Sequence, residues 1–293
     1  MAKTLRAPAK INLTLEVLGR REDGYHGLRS VMVPLELADE IEVDPSGVLA
    51  FACDDASLAG DENLALRALR ALASAGFEPH AKVTLRKRIP VEAGLGGGSS
   101  DAAAILLAAM EGVFGPAPAL DWLAIGHSLG SDVPFFLART AALVEGTGER
   151  VTALGAIPAW PVLIVRPPAH ISTAEAYAAL DRRERKIRPR SDSPSLACVE
   201  ALQRGDYAAV EALLSNDFHD LAMEEPSVRR AVGALHSAGA QRPLLSGSGS
   251  CVFALAANVA ARDAIAQRLQ LPPAFAVFAT AFASGGGWQA AGA

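Results

Sequence analysis

Alternating polar and apolar positions near the amino terminus predict the first strand. From Ile11 to Val17 the odd positions are apolar, whereas the even positions from Lys10 to Glu16 are polar. A two-residue period is typical of a strand with one face buried and the other exposed. Lys10 and Asn12 are therefore expected to lie on the same polar face of this strand.

Further elements of the first half follow from alternation and helix propensity. A polar turn or loop is expected over residues 19–27, then a strand over residues 28–43 that is broken at Pro34. Residues 64–72 form a run of Ala, Leu and Arg, and this run predicts a helix because these residues favour helical backbone. Alternation returns over residues 81–89 and predicts another strand.

A glycine-rich segment separates that strand from the next predicted helix, which is expected over residues 102–114. Residues 94–98 contain four glycines, which let the backbone approach a ligand and aim several N–H groups at one point. A polyphosphate fits such a loop. The alternative is a flexible turn before a helix that Ser99, Ser100 or Asp101 caps. Capping accounts for the serines but not for so many glycines.

The second half of the chain predicts a second α+β domain, with residues 1–155 and 156–293 as the two domains. Residues 161–165 have the pattern of a buried strand. Residues 182–190 are expected to be a solvated basic loop, and residues 284–287 a loose tail. The helices expected here cover residues 172–180, 194–202 and 207–214.

The net charge of the chain limits the kinds of molecule that it is expected to bind. The chain has 293 residues, of which 51% are hydrophobic, so it can bury a sizeable core. Its net charge of −5 argues against a nucleic acid or an anionic membrane as the main partner, because an acidic surface attracts neither. A phosphate ligand stays compatible with this charge, since backbone N–H groups at a helix start bind phosphate through fixed dipoles.

Cysteine usage and the amino terminus predict a cytoplasmic protein. Cys53, Cys198 and Cys251 are odd in number and match no metal-ligand spacing, so we expect structural thiols in a reducing compartment. Residues 1–6 lack the apolar core of a signal peptide, and no apolar run approaches the length of a membrane span.

The glycine loop is neither a Walker A loop nor a dinucleotide fingerprint, and protein-kinase motifs are missing. The segment resembles the second motif of the GHMP kinases, in which such a loop wraps the phosphates of ATP. This resemblance implies a two-domain α+β fold, with an amino-terminal domain like ribosomal protein S5 domain 2 and a ferredoxin-like carboxyl-terminal domain. The residues implied to line the triphosphate are Pro90, Val91, Glu92, Ala93, Gly94, Leu95, Gly96, Gly97, Gly98, Ser99 and Ser100.

Residues 7–13 and 18–26, the latter ending in Asp-Gly-Tyr-His, resemble the start of the diphosphocytidyl-methylerythritol kinases. The resemblance implies that Tyr25 and His26 hold the cytidine end of a cytidine diphosphate ester of methylerythritol. Taken alone, these residues are a loop around an Asp-Gly turn. Asn12 is implied to bind the same substrate.

A later pair of residues matches that family as well. Tyr177 stands where the family usually has an aromatic residue, often Phe, that stacks on cytosine. Thr173 lies one turn away on the same helical face. The competing interpretation of Tyr177 is a buried core tyrosine.

Two segments resemble the remaining kinase motifs. In residues 130–136, Asp132 matches the family's catalytic aspartate; by itself it would be an acid in an exposed turn. The implied mechanism has Asp132 accept the proton of the substrate's 2-hydroxyl while Lys10 stabilises negative charge. Residues 244–253 resemble the third GHMP motif, which backs the active site, although alone they would be an ordinary hairpin.

Several assignments rest on the resemblance with equally good alternatives. Asn63 and Lys87 match positions near adenine, but a helix cap and a solvated basic strand end explain them as well. Mg²⁺ is expected to bridge ATP oxygens and to keep several waters, with Ser100 as a candidate ligand. Relatives often have Asn in place of Asp101, and a carboxylate beside phosphate is not expected to contact ATP.

Two other functions are compatible with parts of the pattern. The first is another GHMP kinase that acts on mevalonate, homoserine or a sugar, because the glycine loop does not specify the acceptor. Tyr25 and His26 argue against it. The second is a non-catalytic nucleotide-binding module, and the presence of both Lys10 and Asp132 argues against that.

Overall fold

The computed structural model describes residues 2–22, 24–45, 47–117, 119–183 and 189–283. The predicted tail at 284–287 lies outside these residues, as does the central part of the predicted basic loop. Within the described ranges, no helix combines the length and the apolar character needed to cross a bilayer.

Strands and helices occur in both halves of the chain, which confirms the predicted α+β class. The strands are β1 (Lys3–Arg20), β2 (His26–Pro45), β3 (Ala50–Cys53), β4 (Ala81–Arg86), β5 (Ala142–Gly146), β6 (Arg150–Ala153), β7 (Pro161–Arg166), β8 (Ser215–Asn216), β9 (Leu244–Leu245), β10 (Val252–Leu255) and β11 (Ala276–Ala281). The helices are α1 (Leu64–Ser74), α2 (Gly97–Met110), α3 (Trp122–Leu129), α4 (Val133–Leu137), α5 (Thr173–Asp181), α6 (Pro194–Gln203), α7 (Tyr207–Leu213), α8 (His219–Ala222), α9 (Pro226–Ser237) and α10 (Val259–Arg268).

Two sheets organise these elements. The larger sheet has the order β3-β4-β2-β1-β8, and β5 pairs with both β2 and β6. The smaller sheet has the order β11-β7-β10-β9 and is antiparallel at each of its pairings. The long antiparallel pair β1 and β2 extends to the pairing of Arg20 with His26, so the predicted turn or loop at 19–27 is shorter than expected at both ends.

The predicted break of the second strand at Pro34 is wrong. Pro34 lies within β2, opposite Lys10, next to a shift of register between Pro8 and Lys10 in β1. Proline lacks an N–H to donate, and strands tolerate it where the hydrogen-bond ladder is already interrupted. The irregularity therefore lets β2 continue through the proline.

The prediction that β1 exposes its polar face is also wrong. Lys10, Asn12, Thr14 and Glu16 are all buried. The amino-terminal end of α6 covers this face, where the Thr14 hydroxyl donates to Ser195 Oγ at 2.8 Å. Buried polar groups need partners, and a covered polar face is stable only because the second half of the chain supplies some of them.

Helix α2 lies at the centre of the first half. Its residues from Ser100 to Ala109 are all buried, as expected of a helix that is apolar all round. It begins at Gly97, five residues before the predicted start, because the last glycines of the loop adopt helical backbone. Helix α1 packs beside it with Leu69 fully buried.

Contacts between the two halves are extensive. Strand β8 pairs in parallel with β1 at Thr14, and Phe282 bridges to Leu35 of β2. One core cluster contains Ile11 from β1 together with Phe253 from β10. The division into residues 1–155 and 156–293 stays a prediction.

The cysteines behave as predicted for structural thiols within the described residues. Cys53, Cys198 and Cys251 are free. Burial raises the pKa of both the Cys198 thiol and the Cys251 thiol to about 12. These two side chains are therefore neutral and unreactive at neutral pH.

Core packing between α1 and α2 gives a first prediction. Replacing Leu69 by Ala should lower the free energy of unfolding by about 2–5 kcal/mol, because it removes methyl groups from a fully buried site. Arg70→Ala on the same helix removes only an exposed ion pair with Asp61 and should cost less than about 1 kcal/mol. Urea unfolding measures both values; equal losses would contradict this packing.

Candidate active site

The glycine loop is held by direct contact with a second loop from the other half of the chain. At Gly94 the backbone has φ of +76°, and a Cβ placed there would lie 2.1 Å from the carbonyl oxygen of Ser246. The Ser246 hydroxyl donates to the carbonyl of Gly94 at 2.9 Å, and the Cys251 amide donates to the carbonyl of Ala93 at 3.1 Å. Only glycine permits this backbone-to-backbone approach.

No side chain caps the start of α2. Gly96 occupies the N-cap position with φ of +71° and makes no side-chain capping bond. Ser99, Ser100 and Asp101 lie within the helix, so the alternative in which one of them caps it is wrong. The N–H groups of the first turn have no acceptors within the helix, and they lie at the positive end of the helix dipole. This end of α2 is suited to an anion.

Lys10 lies directly beside this loop. Its backbone amide donates to the carbonyl of Leu95 at 2.9 Å, and a Cβ at Gly96 would come within 3.0 Å of its Cγ. The ammonium donates to Asn12 Oδ1 at 2.8 Å and lies 3.5 Å from Asp132 Oδ2. The side chain of Lys10 is only 4% exposed. Contacts with Leu95, Asn12 and Asp132 thus hold Lys10 in place.

Asn12 has its side chain fully engaged by the protein. Its Oδ1 accepts from Lys10 and from the Gly247 amide at 3.0 Å, and its Nδ2 donates to Ser30 Oγ at 2.8 Å. Substrate binding by Asn12 stays a prediction. The contacts give it a positioning role, because it joins Lys10 to the second glycine loop.

Asp132 presents its carboxylate to the same place. Helix α3 ends at Leu129, Gly130 is extended, and Asp132 is the N-cap residue of α4 without a side-chain capping bond. Pro134, in the first turn of α4, is compatible with a helix start because that position needs no donated N–H. The carboxylate is about a quarter exposed and lies beside Lys10. Its Oδ2 therefore faces the Lys10 ammonium and the cleft.

These groups share a cleft of about 530 Å³. Four of the segments that resemble kinase motifs contribute to it, together with the start of α5; they are residues 7–13, 90–100, 130–136 and 244–253. Thr173 lies in the cleft and its hydroxyl is 2.8 Å from Ser248 Oγ, which links α5 to the second glycine loop. Motifs far apart in the chain meet around Lys10 and Asp132.

Tyr177 separates this cleft from a second cavity of about 1110 Å³ and lines both. The His26 ring stacks on it with centroids 4.7 Å apart, and Phe218 meets it edge to face. Burial, with a further contribution from the Asp132 charge, raises the pKa of Tyr177 to about 12. Tyr177 is thus a neutral aromatic wall between the two cavities that packs against His26 and Phe218, and its stacking on cytosine stays a prediction.

The segment around His26 is described except for Asp23. Tyr25 is 69% exposed at the rim of the second cavity. His26 Nε2 lies 2.7 Å from Asp181 Oδ1, a partner at the end of α5 that sequence reasoning missed. Asp181 immediately precedes the basic stretch and has no motif of its own, so no local signal pointed to it.

Asn63 and Lys87, the two residues expected near adenine, are both engaged by the protein. Asn63 caps α1, where its Oδ1 accepts from the Ala65 amide at 2.9 Å. The Lys87 ammonium lies between Asp39 and Asp101, at 2.5 and 2.7 Å. Lys87 also borders an open depression of about 460 Å³. Their contact with adenine stays a prediction.

The charges around Lys87 compensate one another. Burial lowers the pKa of Lys87, but the Asp101 and Asp39 carboxylates outweigh this effect and raise it overall. Burial raises the pKa of Asp101 well above its usual range, against the opposing effect of Lys87. The predicted solvated strand end is wrong for Lys87, whose side chain is only 10% exposed.

The protein offers few side chains to a metal ion. Within the described residues, no group of three or more His, Cys, Asp or Glu side chains is placed to hold one. The Ser100 hydroxyl is buried without a hydrogen-bond partner in the first turn of α2. A single hydroxyl of this kind fits a cation that keeps most of its ligands from phosphate and water.

Comparison with known proteins identifies the family. Residues 63–139 match the GHMP kinases N terminal domain, and residues 198–272 match the GHMP kinases C terminal domain. A Deinococcus radiodurans protein named 4-diphosphocytidyl-2-C-methyl-D-erythritol kinase is 42% identical over 269 residues, which cover 90% of this chain and 87% of that protein. The chain belongs to this family of GHMP kinases.

Two further comparisons lead to the same family of kinases. The protein of the same name from Pelotomaculum thermopropionicum is 41% identical over 92% of this chain and 94% of its own length. A crystal structure of 4-(cytidine 5'-diphospho)-2C-methyl-D-erythritol kinase has a TM-score of 0.77 and 38% identity, and the match covers 96% of this chain and 100% of that one. The resemblance seen in the motifs is confirmed.

The contact between the two glycine loops gives a second prediction. Gly94→Ala and Gly76→Ala both place a Cβ at positive φ, which costs about 1–2 kcal/mol each. Gly76 has open space around it, whereas Gly94 has the carbonyl of Ser246 in the way. Gly94→Ala should therefore lose about 1–3 kcal/mol more in urea unfolding and also weaken ATP binding. Equal losses in the two variants would exclude the close approach.

Proposed function

We propose that this kinase transfers the γ-phosphoryl group of ATP to the 2-hydroxyl of 4-diphosphocytidyl-2-C-methyl-D-erythritol. The products are ADP and the 2-phosphate, in the non-mevalonate route of isoprenoid biosynthesis. The observation that carries the proposal is the Lys10 and Asp132 pair, 3.5 Å apart, between the glycine loop and the Tyr177 wall. A phosphate donor and a hydroxyl acceptor can meet there.

The glycine loop and the start of α2 hold the triphosphate. Phosphoryl transfer asks little covalent chemistry of a protein, so position and charge stabilisation dominate catalysis. Ser99 at the helix start lies next to Gly130, where a Cβ would come within 3.4 Å of its Oγ, and Gly130 leads into Asp132. The phosphate-binding turn and the acid are therefore neighbours.

Asp132 is the base. The substrate's 2-hydroxyl oxygen forms the new bond to the γ-phosphorus as the bond to the β-phosphate oxygen breaks, and the hydroxyl proton passes to a carboxylate oxygen of Asp132. Asp132 makes no capping bond to its own helix, and its Oδ2 lies 3.5 Å from the Lys10 ammonium in the cleft. The electrons of the broken bond leave with ADP.

Lys10 stabilises the charge that develops on the transferring group. A buried ammonium held by Asn12 needs no reorientation during the reaction, which is the condition under which such a group contributes most. Its side chain is almost fully covered, so water weakens its field little.

The cytidine end of the acceptor is placed in the larger cavity. Tyr177 offers an aromatic face, His26 offers polar ring atoms, and Tyr25 lies at the exposed rim. Thr173 and Tyr177 line both cavities, so an elongated ligand that reaches past them would join the base site to the reacting hydroxyl. A substrate with a pyrimidine at one end and an alcohol at the other suits this arrangement.

Mg²⁺ accompanies ATP in this proposal and neutralises phosphate charge. The Ser100 hydroxyl is the protein group that would hold it. The unpaired cysteines support a reducing, cytoplasmic location.

The catalytic pair gives a third prediction. Asp132→Asn keeps the shape but removes the base, so kcat should fall by about 10²–10⁴ while the KM for ATP changes little. Lys10→Ala should lower kcat by about 10²–10³ through loss of charge stabilisation. Glu36→Gln, which alters only an exposed ion pair with Arg6, is the control. Near-normal turnover in either site variant would refute its assigned role.

Acceptor choice gives a fourth prediction. With ATP and a panel of the cytidine diphosphate ester, mevalonate, homoserine and galactose, ADP release should show a preference for the ester of about 10³-fold or more in kcat/KM. The reason is that only the ester fills both cavities. Release with another acceptor at a similar rate would favour a different GHMP kinase, and no release with any of them would favour a nucleotide-binding module.

A further inference from the structure

An ion cluster lies beneath the phosphate-binding turn. The Lys87 ammonium contacts Asp39 Oδ2 at 2.5 Å and Asp101 Oδ2 at 2.7 Å. Asp39 belongs to β2, Lys87 follows β4, and Asp101 belongs to α2. Asp39 and Asp101 are buried and Lys87 is nearly so. One ammonium therefore joins the sheet to the helix that begins at the glycine loop.

The same cluster fixes the chain as it approaches the loop. Asp39 Oδ1 accepts from the Arg88 amide at 2.5 Å and from the Ile89 amide at 2.8 Å. Both amides belong to the residues that come just before Pro90, where the glycine loop starts. With one oxygen on these amides and the other on Lys87, Asp39 holds the chain before the loop, and Lys87 extends the link to Asp101 after the loop.

Lys87 also touches the first turn of α2. A Cβ placed on Gly97 would lie 3.3 Å from Lys87 Nζ and 3.1 Å from Ile89 Cγ2. Gly97 is the first residue of α2, and its neighbours supply the N–H groups that face phosphate. The Lys87 ammonium therefore lies against the turn that carries those N–H groups.

The two carboxylates beside Lys87 limit its electrostatic effect on a bound triphosphate. Two carboxylates within 2.7 Å offset its positive charge, so it offers little field to a triphosphate. Lys10, in contrast, has one carboxylate at 3.5 Å and faces the cleft. The contribution of Lys87 is thus geometric rather than electrostatic.

We propose that Asp101 is a positioning residue for ATP: with Asp39 it clamps Lys87 and so fixes the first turn of α2 and the glycine loop in the arrangement that binds phosphate. The inference rests on the proposed function for its ligand. It also gives a role to a carboxylate that makes no contact with ATP itself.

The test compares three variants. Asp101→Leu removes one arm of the clamp but leaves Lys87 paired with Asp39. Asp101→Asn keeps an oxygen that accepts from Lys87. The double variant Lys87→Met with Asp101→Leu replaces the ion pair by apolar groups of similar volume, a change that folded proteins often tolerate. Asp39 still holds its two amides in this double variant, so the protein should fold.

The expected result is a selective loss of ATP affinity. Asp101→Leu and the double variant should weaken binding of an unreactive ATP analogue by about tenfold, with KM for ATP raised equally and KM for the acceptor unchanged. Asp101→Asn should stay within about twofold of the parent, because a hydrogen bond from Lys87 survives. Calorimetry gives the affinities and coupled ADP release the kinetic constants.

Glu42→Gln is the matched control, since it alters an ion pair with Arg86 across the same two strands, β2 and β4, on the exposed side. The proposal is overturned if Asp101→Leu binds the ATP analogue normally, or if Asp101→Asn is as impaired as Asp101→Leu. A loss in Lys87→Met with Asp101→Leu but not in Asp101→Leu would indicate direct contact of Lys87 with ATP and also overturns it. Failure of the parent protein to phosphorylate the acceptor would refute the proposed function but leave these binding measurements valid.

Discussion

A buried ammonium group organises the active site of this kinase. Lys10 is nearly inaccessible to water, and such a charge is tolerated only with partners. Asn12 and Asp132 supply them, and Asn12 is itself held by the amide of Gly247. The first strand, the acid before α4 and the second glycine loop must all be in place before this charge is satisfied. Assembly of the site and folding of the two halves are for that reason one process.

Positive charge could serve both to bind phosphate and to stabilise the transferring group, and this protein assigns the two tasks to different groups. In the proposed function, phosphate is met by the uncapped backbone N–H groups at the start of α2, which is how a chain of net charge −5 would bind ATP. Lys10 directs its charge into the cleft, whereas Lys87 is balanced by Asp39 and Asp101. Two lysines on opposite sides of one loop thus differ in role because of their neighbours.

Local patterns predicted the loop between strand and helix, and the motifs predicted the family. They could not predict partners that are distant in sequence. Ser195 covers the polar face of β1 from 181 positions away, and Asp181 holds His26 from 155 positions away. Alternation in β1 indicated exposure because polar residues are usually exposed, and here another part of the chain covers them. The sequence predicted too late a start for α2, because glycine has a low helix propensity. In the structure, tertiary packing outweighs that propensity, and the glycines form the first turn of the helix.

Strand β1 contributes in turn to all three core clusters, with Leu5 in the first, Ile11 in the second and Val17 in the third. Along β1 the first cluster gives way to the second between Ala7 and Ala9, and Lys10 follows directly. A chain that stops before Gly247 can form parts of these clusters, but Asn12 Oδ1 then has only Lys10 as a donor. The surroundings of Lys10 are therefore complete only when a segment 235 positions further along the chain has joined the first strand.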